Sequence, residues 1–323
     1  MVTFLSTGVE PRVTDMIREF AASQNFADPP QSRMIYQSAV FPDTRQVWQV
    51  TLGQHVYALK LDYQGEADGP LAKEFKELGA LAKHFAKYEK LGLVTPVYLS
   101  PTGKFMVTRF LDLKTAGQRL KDAENPQTRG QVFRRAGDWL HALHDFSPRK
   151  RKEFWGNWMI RDLDEILARG DMQADPEDVT RMRDMLHTQV RTVNRIRDTH
   201  ATSHGDFHSE NLMLGPGITY GFDLSETRRK MAVYDIVDFL KVDIYRDTPP
   251  DEVDSAGITA SHRDMFFRGY THHIDKQILD VALRGRLLID WALTTPQGHT
   301  QHRVQRIAFR KLKLRLDIAF GDT

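Results

Sequence analysis

Hydrophobic and polar positions alternate from about residue 33 to residue 61, as in strands that bury one face. Met34–Val40 is the first expected strand. In Val47–Leu52, Trp48, Val50 and Leu52 fall on one side and Val47, Gln49 and Thr51 on the other. A Gly53-Gln54 turn leads to a third strand, His55–Leu61. Gly65–Pro70, with two glycines and a proline, reads as a loop. The period then changes. Leu71, Phe75, Leu78, Leu81, Phe85 and Tyr88 recur at spacings of three and four, which predicts a helix over about 71–90 with Gly92 as its stop. Val97–Leu99, the turn Ser100-Pro101-Thr102-Gly103 and Lys104–Leu111 predict a hairpin.

Beyond residue 112 the pattern is mostly helical. Val132–His144 turns Val132, Phe133, Ala136, Trp139, Leu140 and Leu143 inward. Helical periods recur at 158–169, 177–197, 231–244, 261–282 and 284–293, interrupted by a strand-like stretch at 201–224. Arg303–Phe320 sets Val304, Ile307, Ala308, Leu312, Leu316 and Ala319 on one face, with Arg303, Arg306, Arg310 and Lys313 on the other. The expectation is α+β: a sheet-rich N-terminal domain over 1–111 and a larger, mostly helical domain over 112–323. There is no internal repeat.

Composition narrows the classes. The 323 residues are 41% hydrophobic and 27% charged, as in a folded globular chain. Lys plus Arg number 45 against 43 Asp plus Glu, a net charge of +2, which argues against a general nucleic-acid binder. Cysteine is absent, so disulfides, thiolate metal sites and cysteine nucleophiles are excluded. No apolar run approaches the roughly 20 residues of a membrane span. Met1–Glu10 has no basic leader, so a cytoplasmic protein without a membrane partner is expected.

The chemistry concentrates in Ser203-His204-Gly205-Asp206-Phe207-His208-Ser209-Glu210-Asn211-Leu212-Met213-Leu214 and in Tyr220-Gly221-Phe222-Asp223-Leu224-Ser225. A loop holds Asp206 and Asn211 five residues apart, and two short apolar strands lead to Asp223. Each residue alone has a structural alternative as a turn former. Together they are the oxygen set that phosphoryl transfer needs: one carboxylate for the attacking hydroxyl, and an amide oxygen and a second carboxylate for Mg²⁺.

His-Gly-Asp-x-x-x-x-Asn, with Asp223 12 positions after Asn211, resembles the aminoglycoside phosphotransferase and choline kinase-like enzymes. The resemblance runs from about residue 33 to at least 245. It implies the bilobal protein kinase-like fold, ATP or GTP as donor, Mg²⁺, and a small-molecule hydroxyl as acceptor. Residue by residue, it implies Asp206 as catalytic base and Asn211 and Asp223 as metal ligands. Tyr57-Ala58-Leu59-Lys60 looks like the strand carrying the phosphate-binding lysine. Glu74 looks like the partner of Lys60, with Glu77 one turn away as its rival. The adenine is expected between the lobes, near Ala58 and Met213 and the backbone of Thr108–Leu111. Leu140-His141-Ala142-Leu143-His144 resembles the helix before the catalytic loop, and Tyr234-Asp235-Ile236-Val237-Asp238-Phe239 the helix whose Asp235 braces it. His204 and His208 are expected to support the loop.

One departure stands out: the turn Ala39–Arg45 has no glycine. The leading reading is a small-molecule kinase for a sugar, amino alcohol or related metabolite. The alternatives are an aminoglycoside-resistance phosphotransferase, a protein kinase and a catalytically inactive kinase-like binding module. Two acidic stretches, Asp162, Asp164, Glu165 and Asp243 to Asp254, tilt the acceptor towards an amine. Arg263, Arg268, Arg284 and Arg286 in the same domain tilt it the other way. The His272-His273 pair and His299 with His302 read as solvated histidines.

Overall fold

A computed structural model describes residues 10–26, 29–38 and 40–321. The expectations for Met1–Val9, and Ala39 of the glycine-free turn, lie outside those residues. In chain order the first elements are α1 (Pro11–Ser23), β1 (Gln31–Gln37), β2 (Arg45–Leu52), β3 (His55–Asp62) and α2 (Pro70–Phe85). They are followed by β4 (Leu91–Leu93), β5 (Pro96–Leu99), β6 (Phe105–Arg109), α3 (Ala116–Asp122) and α4 (Pro126–His144). Next come β7 (Lys150–Glu153), α5 (Asn157–Arg169), α6 (Pro176–Val193), β8 (Arg197–Ser203), β9 (Leu212–Leu214) and β10 (Thr219–Gly221). The chain closes with β11 (Arg228–Met231), α7 (Val233–Leu240), α8 (Ala260–Gly269), α9 (Lys276–Ala292), α10 (Pro296–Gln301) and α11 (Arg303–Ala319).

Several expected elements are cut differently. The helix expected over 261–282 is two helices. α8 stops at Gly269, and Asp275 starts α9 by accepting from the Gln277 and Ile278 amides. The 177–197 helix ends at Val193, because Arg195 adopts a left-handed φ of 69° and the chain turns into β8. The 71–90 helix ends at Phe85. In 231–244, Met231 closes β11 and α7 gives way to a 3₁₀ turn at Lys241–Tyr245. Helices α1, α3 and α10 and strands β4, β7 and β11 have no counterpart in the sequence reading.

The chain divides into two compact units. One runs through Lys114 and takes in Met213–Thr227; the other is Thr115–Leu212 with Arg228 onward. The first unit therefore includes a stretch from far along the chain. It belongs there because β10 pairs in parallel with β4, and the Leu214 amide donates to the Lys114 carbonyl.

The main sheet of the first unit is antiparallel, in the order β1-β2-β3-β6-β5. Strand alternation puts Trp48, Val50, Leu52, Tyr57, Leu59 and Leu61 on one side. α1 covers that side with Val13, Ile17, Phe20 and Ala21. The same alternation turns Ala58 and Lys60 to the opposite face. In the second unit, helices α3 to α11 surround a core around α4, where Phe133, Trp139, Leu140 and Leu143 are fully buried. Its small sheet is ordered β11-β8-β7. No helix among the described residues is long and apolar enough to cross a membrane.

Candidate active site

In the first unit, Lys60 is the centre of a three-membered charge cluster. Its Nζ lies 2.8 Å from Glu74 Oε2 and 2.7 Å from Asp223 Oδ1. Glu74 falls in the apolar stripe of α2, between Leu71 and Leu78, so its carboxylate is carried inward and is almost fully buried. Glu77 points elsewhere and is half-buried. Burial alone would lower the Lys60 pKa; the two carboxylates outweigh it and raise the pKa above the ordinary lysine value. Lys60 is therefore a fixed cation. Asp223 has a φ of 58°, a left-handed backbone uncommon outside glycine. Its Oδ1 also accepts from Ser225 Oγ at 3.0 Å.

The residues expected around the adenine belong to the same unit. Ala58 on β3 lies opposite Thr108 on β6, and Met213 is on β9. Within Thr108–Leu111 two amides are already used: Arg109 donates to Thr95 and Phe110 to Val56. The glycine-free turn is closed by side chains and backbone instead. Ser38 Oγ accepts from the Phe41 amide, the Arg45 amide donates to the Phe41 carbonyl, and the Arg45 guanidinium lies over the Phe41 ring. None of its described residues has the positive φ that would call for glycine.

In the second unit, β8 ends in the loop that carries Asp206 and Asn211. Gly205 takes a φ of 88°, which bends the chain sharply before Asp206. The loop is held from below by Asp235 on α7. Its Oδ2 accepts from the His204 amide at 2.8 Å and its Oδ1 from the Gly205 amide at 3.0 Å. His144 of α4 adds a third contact, with Nε2 3.0 Å from Asp235 and Nδ1 2.8 Å from the Tyr270 hydroxyl. Burial works to raise the Asp235 pKa, but the contact with His144, the nearby His204 and the Ser203 side chain hold it below the ordinary value. Phe207 anchors the loop from the other side, fully buried against Trp139 and Phe239.

Asp206 is half-exposed. The Asn211 amide nitrogen donates to the Asp206 carbonyl at 2.9 Å, which fixes the distance between the two residues. His208 Nδ1 accepts from the Glu210 amide, and its Nε2 lies 3.4 Å from Asp206 Oδ2 and 3.3 Å from Asn211 Nδ2. This contact with His208 is the main cause that keeps the Asp206 carboxyl below the usual carboxylate range. Gly117 lets α3 approach the loop: a Cβ there would come within 2.0 Å of Glu210 Oε1.

The sequence reading did not assign His208 to Asp206, nor His144 and Tyr270 to the support of the loop. His144 and Tyr270 are 126 positions apart, and no local pattern joins them. Several side chains of the acidic stretches are paired within the fold, while Asp251 and Glu252 are exposed. Asp164 pairs with Arg183, Glu165 with Arg161, Asp247 with Lys311 and Asp254 with Arg263. Asp243 is buried against His262, Thr259 and Arg315. Arg284 and Arg286 are bound likewise, to Ser255 and Gln189 and to Asp238.

An antiparallel sheet carrying a lysine–glutamate pair, a mostly helical region and an Asp–Asn loop define the protein kinase-like class of phosphotransferases. The chain belongs to the phosphotransferase enzyme family named APH, whose model matches residues 43–271. Solved structures share the fold at low identity. Spectinomycin phosphotransferase APH(9)-Ia, in complex with ADP and spectinomycin, is 15% identical with a TM-score of 0.59, over 94% of this chain and 97% of that one. A choline/ethanolamine kinase family protein from Mesorhizobium loti is 14% identical with a TM-score of 0.59, over 96% and 98%. Glucosamine kinase, in complex with glucosamine, ADP and inorganic phosphate, is 16% identical with a TM-score of 0.56, over 95% and 83%. No curated protein sequence matches the chain.

Proposed function

We propose that this phosphotransferase is a cytoplasmic, Mg²⁺-dependent small-molecule kinase. It moves the γ-phosphoryl group of ATP or GTP to a hydroxyl of a sugar, an amino alcohol or a related metabolite. The observation that carries the reading is the Lys60–Glu74–Asp223 cluster: a permanently charged ammonium held by a buried carboxylate suits nucleotide phosphates. Ala58, Met213 and the Thr108–Leu111 backbone frame the base in this reading.

The donor set fits Mg²⁺, which takes carboxylate and amide oxygens. Asp223 offers a carboxylate. Asn211 has committed its NH₂ group to the Asp206 carbonyl, so its oxygen is the atom suited to an ion. When bound, the metal neutralises charge on the donor phosphates. Asp206 accepts a hydrogen bond from the acceptor hydroxyl and takes its proton as the new O–P bond forms and the bond to the nucleoside diphosphate breaks. Its low pKa keeps it ionised at neutral pH, ready for that role. The half-exposure of Asp206 leaves room for an acceptor.

Calorimetric titration of the intact protein with ATP and with GTP, with and without Mg²⁺, tests the reading. Binding of at least one nucleotide that strengthens with Mg²⁺ supports it. Failure of both to bind at millimolar concentration ends it.

A further inference from the structure

The segment between α8 and α9 brings a third histidine to the end of α4. His141 and Asp145 stand one turn apart there, and His272 meets them from residues 270–275. The His141 and His272 rings stack at 3.7 Å between centroids with an interplanar angle of 20°. His141 Nε2 lies 3.7 Å from one Asp145 oxygen and His272 Nε2 lies 3.7 Å from the other. One ligand atom from each of the three residues fits within a 4.8 Å span. Ligands about 2.0–2.1 Å from a tetrahedral ion stand about 3.3 Å from one another; imidazole binds in its ring plane, so one of the two stacked rings has to turn off the stack for both nitrogens to face one ion.

We propose that His141, Asp145 and His272 form a binding site for a divalent transition-metal ion of the Zn²⁺ kind, distinct from the Mg²⁺ of phosphoryl transfer. Two imidazoles and one carboxylate are a Zn²⁺ ligand set, whereas Mg²⁺ prefers oxygen alone. The supporting contact is also present. The Thr271 amide donates to His141 Nδ1 at 3.3 Å, and Thr271 Oγ1, also 3.3 Å from Nδ1, is placed to accept the proton that moves to Nδ1 when Nε2 takes a metal. All three side chains keep partial or slight solvent contact, from 8% for His272 to 32% for Asp145, so an ion can enter.

Besides the Thr271 amide bond to His141 Nδ1, two contacts give way when the ion enters. The Arg149 guanidinium hydrogen-bonds Asp145 and lies 3.4 Å from His272 Nε2, so it takes the cation's place. His272 Nε2 also contacts the His141 carbonyl at 3.1 Å. Arg149 is 39% exposed and swings into solvent at little cost. A bound ion ties the 270–275 segment to α4 beside Tyr270 and His144, the residues that hold Asp235. Its expected effect is therefore on stability, with phosphoryl transfer still dependent on Mg²⁺.

Zn²⁺ titration of the full chain by calorimetry, paired with thermal unfolding, tests the site. The wild type is expected to bind one Zn²⁺ that raises its Tm. His141→Ala and His272→Ala should each weaken this binding by at least about 10–100-fold, the scale seen even for loss of an outer partner of a metal ligand. Arg149→Ala should tighten it, a gain that a misfolded variant cannot imitate. The proposal is overturned if the wild type binds no Zn²⁺, or if affinity is the same in all three variants as in the wild type.

Discussion

Asp206 and His208 set the behaviour expected at the scale of single residues. The His208 contact is the largest cause of the low Asp206 pKa, so kcat/KM should show no acidic limb from Asp206 near neutral pH. Activity should fall only below the usual carboxylate range, where Asp206 becomes protonated. His208→Ala should move that limb upward, towards the ordinary aspartate range. A pH–rate profile of both proteins checks this. Asp206→Asn should lower kcat by about 10²–10⁴-fold while nucleotide affinity is kept, because the group acts on the acceptor hydroxyl. Asp223→Asn should instead weaken binding of the metal–nucleotide complex. Much of this scale was legible in the sequence. Asp206, Asn211 and Asp223 stood out by spacing, while Glu74 was pointed to by the family resemblance, with Glu77 as its rival, until its burial decided between them. The His208 contact was not legible, since it depends on how the loop backbone folds His208 back onto Asp206.

At the scale of elements, the loop depends on α4 and α7. His144→Ala leaves the Tyr270 hydroxyl and one Asp235 contact unsatisfied in the core, at about 1–3 kcal/mol. Denaturant unfolding should register this with an unchanged m-value. Asp235 has a folded pKa below its unfolded value. The stability it contributes is full above about pH 4, the unfolded carboxylate value, and is lost as pH falls through its folded pKa. Gly205→Ala forces a Cβ into a left-handed backbone, at about 1–3 kcal/mol, and should reduce turnover because Asp206 is the next residue. The alternation of β2 and β3 and the stripe of α2 were readable because both repeat over several turns or pleats. The α8–α9 boundary was not, because apolar residues continue across it and the Asp275 cap shows itself only in backbone geometry. α1 escaped notice because its apolar face has only Val13, Ile17, Phe20 and Ala21 between charged residues.

At the scale of the whole molecule, the chain builds two units, and the first is discontinuous in sequence. A division at residue 111 was read from the change in period. The return of 213–227 was hidden, because it rests on pairing between β10 and β4, over 100 positions apart. In the second unit the terminal helix is tied down by Arg315, which reaches buried Asp243, Thr248 and Thr259. Periodicity placed only the basic residues of the solvent face and missed this one. Arg315→Ala removes one of three partners of buried Asp243, which keeps His262 and Thr259, and should cost about 1–3 kcal/mol, whereas Val304→Ser, at an exposed position, should be near neutral. Thermal unfolding of the two variants separates these outcomes. The central claim, phosphoryl transfer to a small hydroxylated molecule, is tested most directly by following labelled γ-phosphate from Mg²⁺–ATP and Mg²⁺–GTP across a library of sugars, amino alcohols and related metabolites. The account expects label on at least one acceptor with wild-type protein and none with Asp206→Asn. Label reaching no acceptor, or reaching the same acceptor at the same rate with Asp206→Asn, would contradict it.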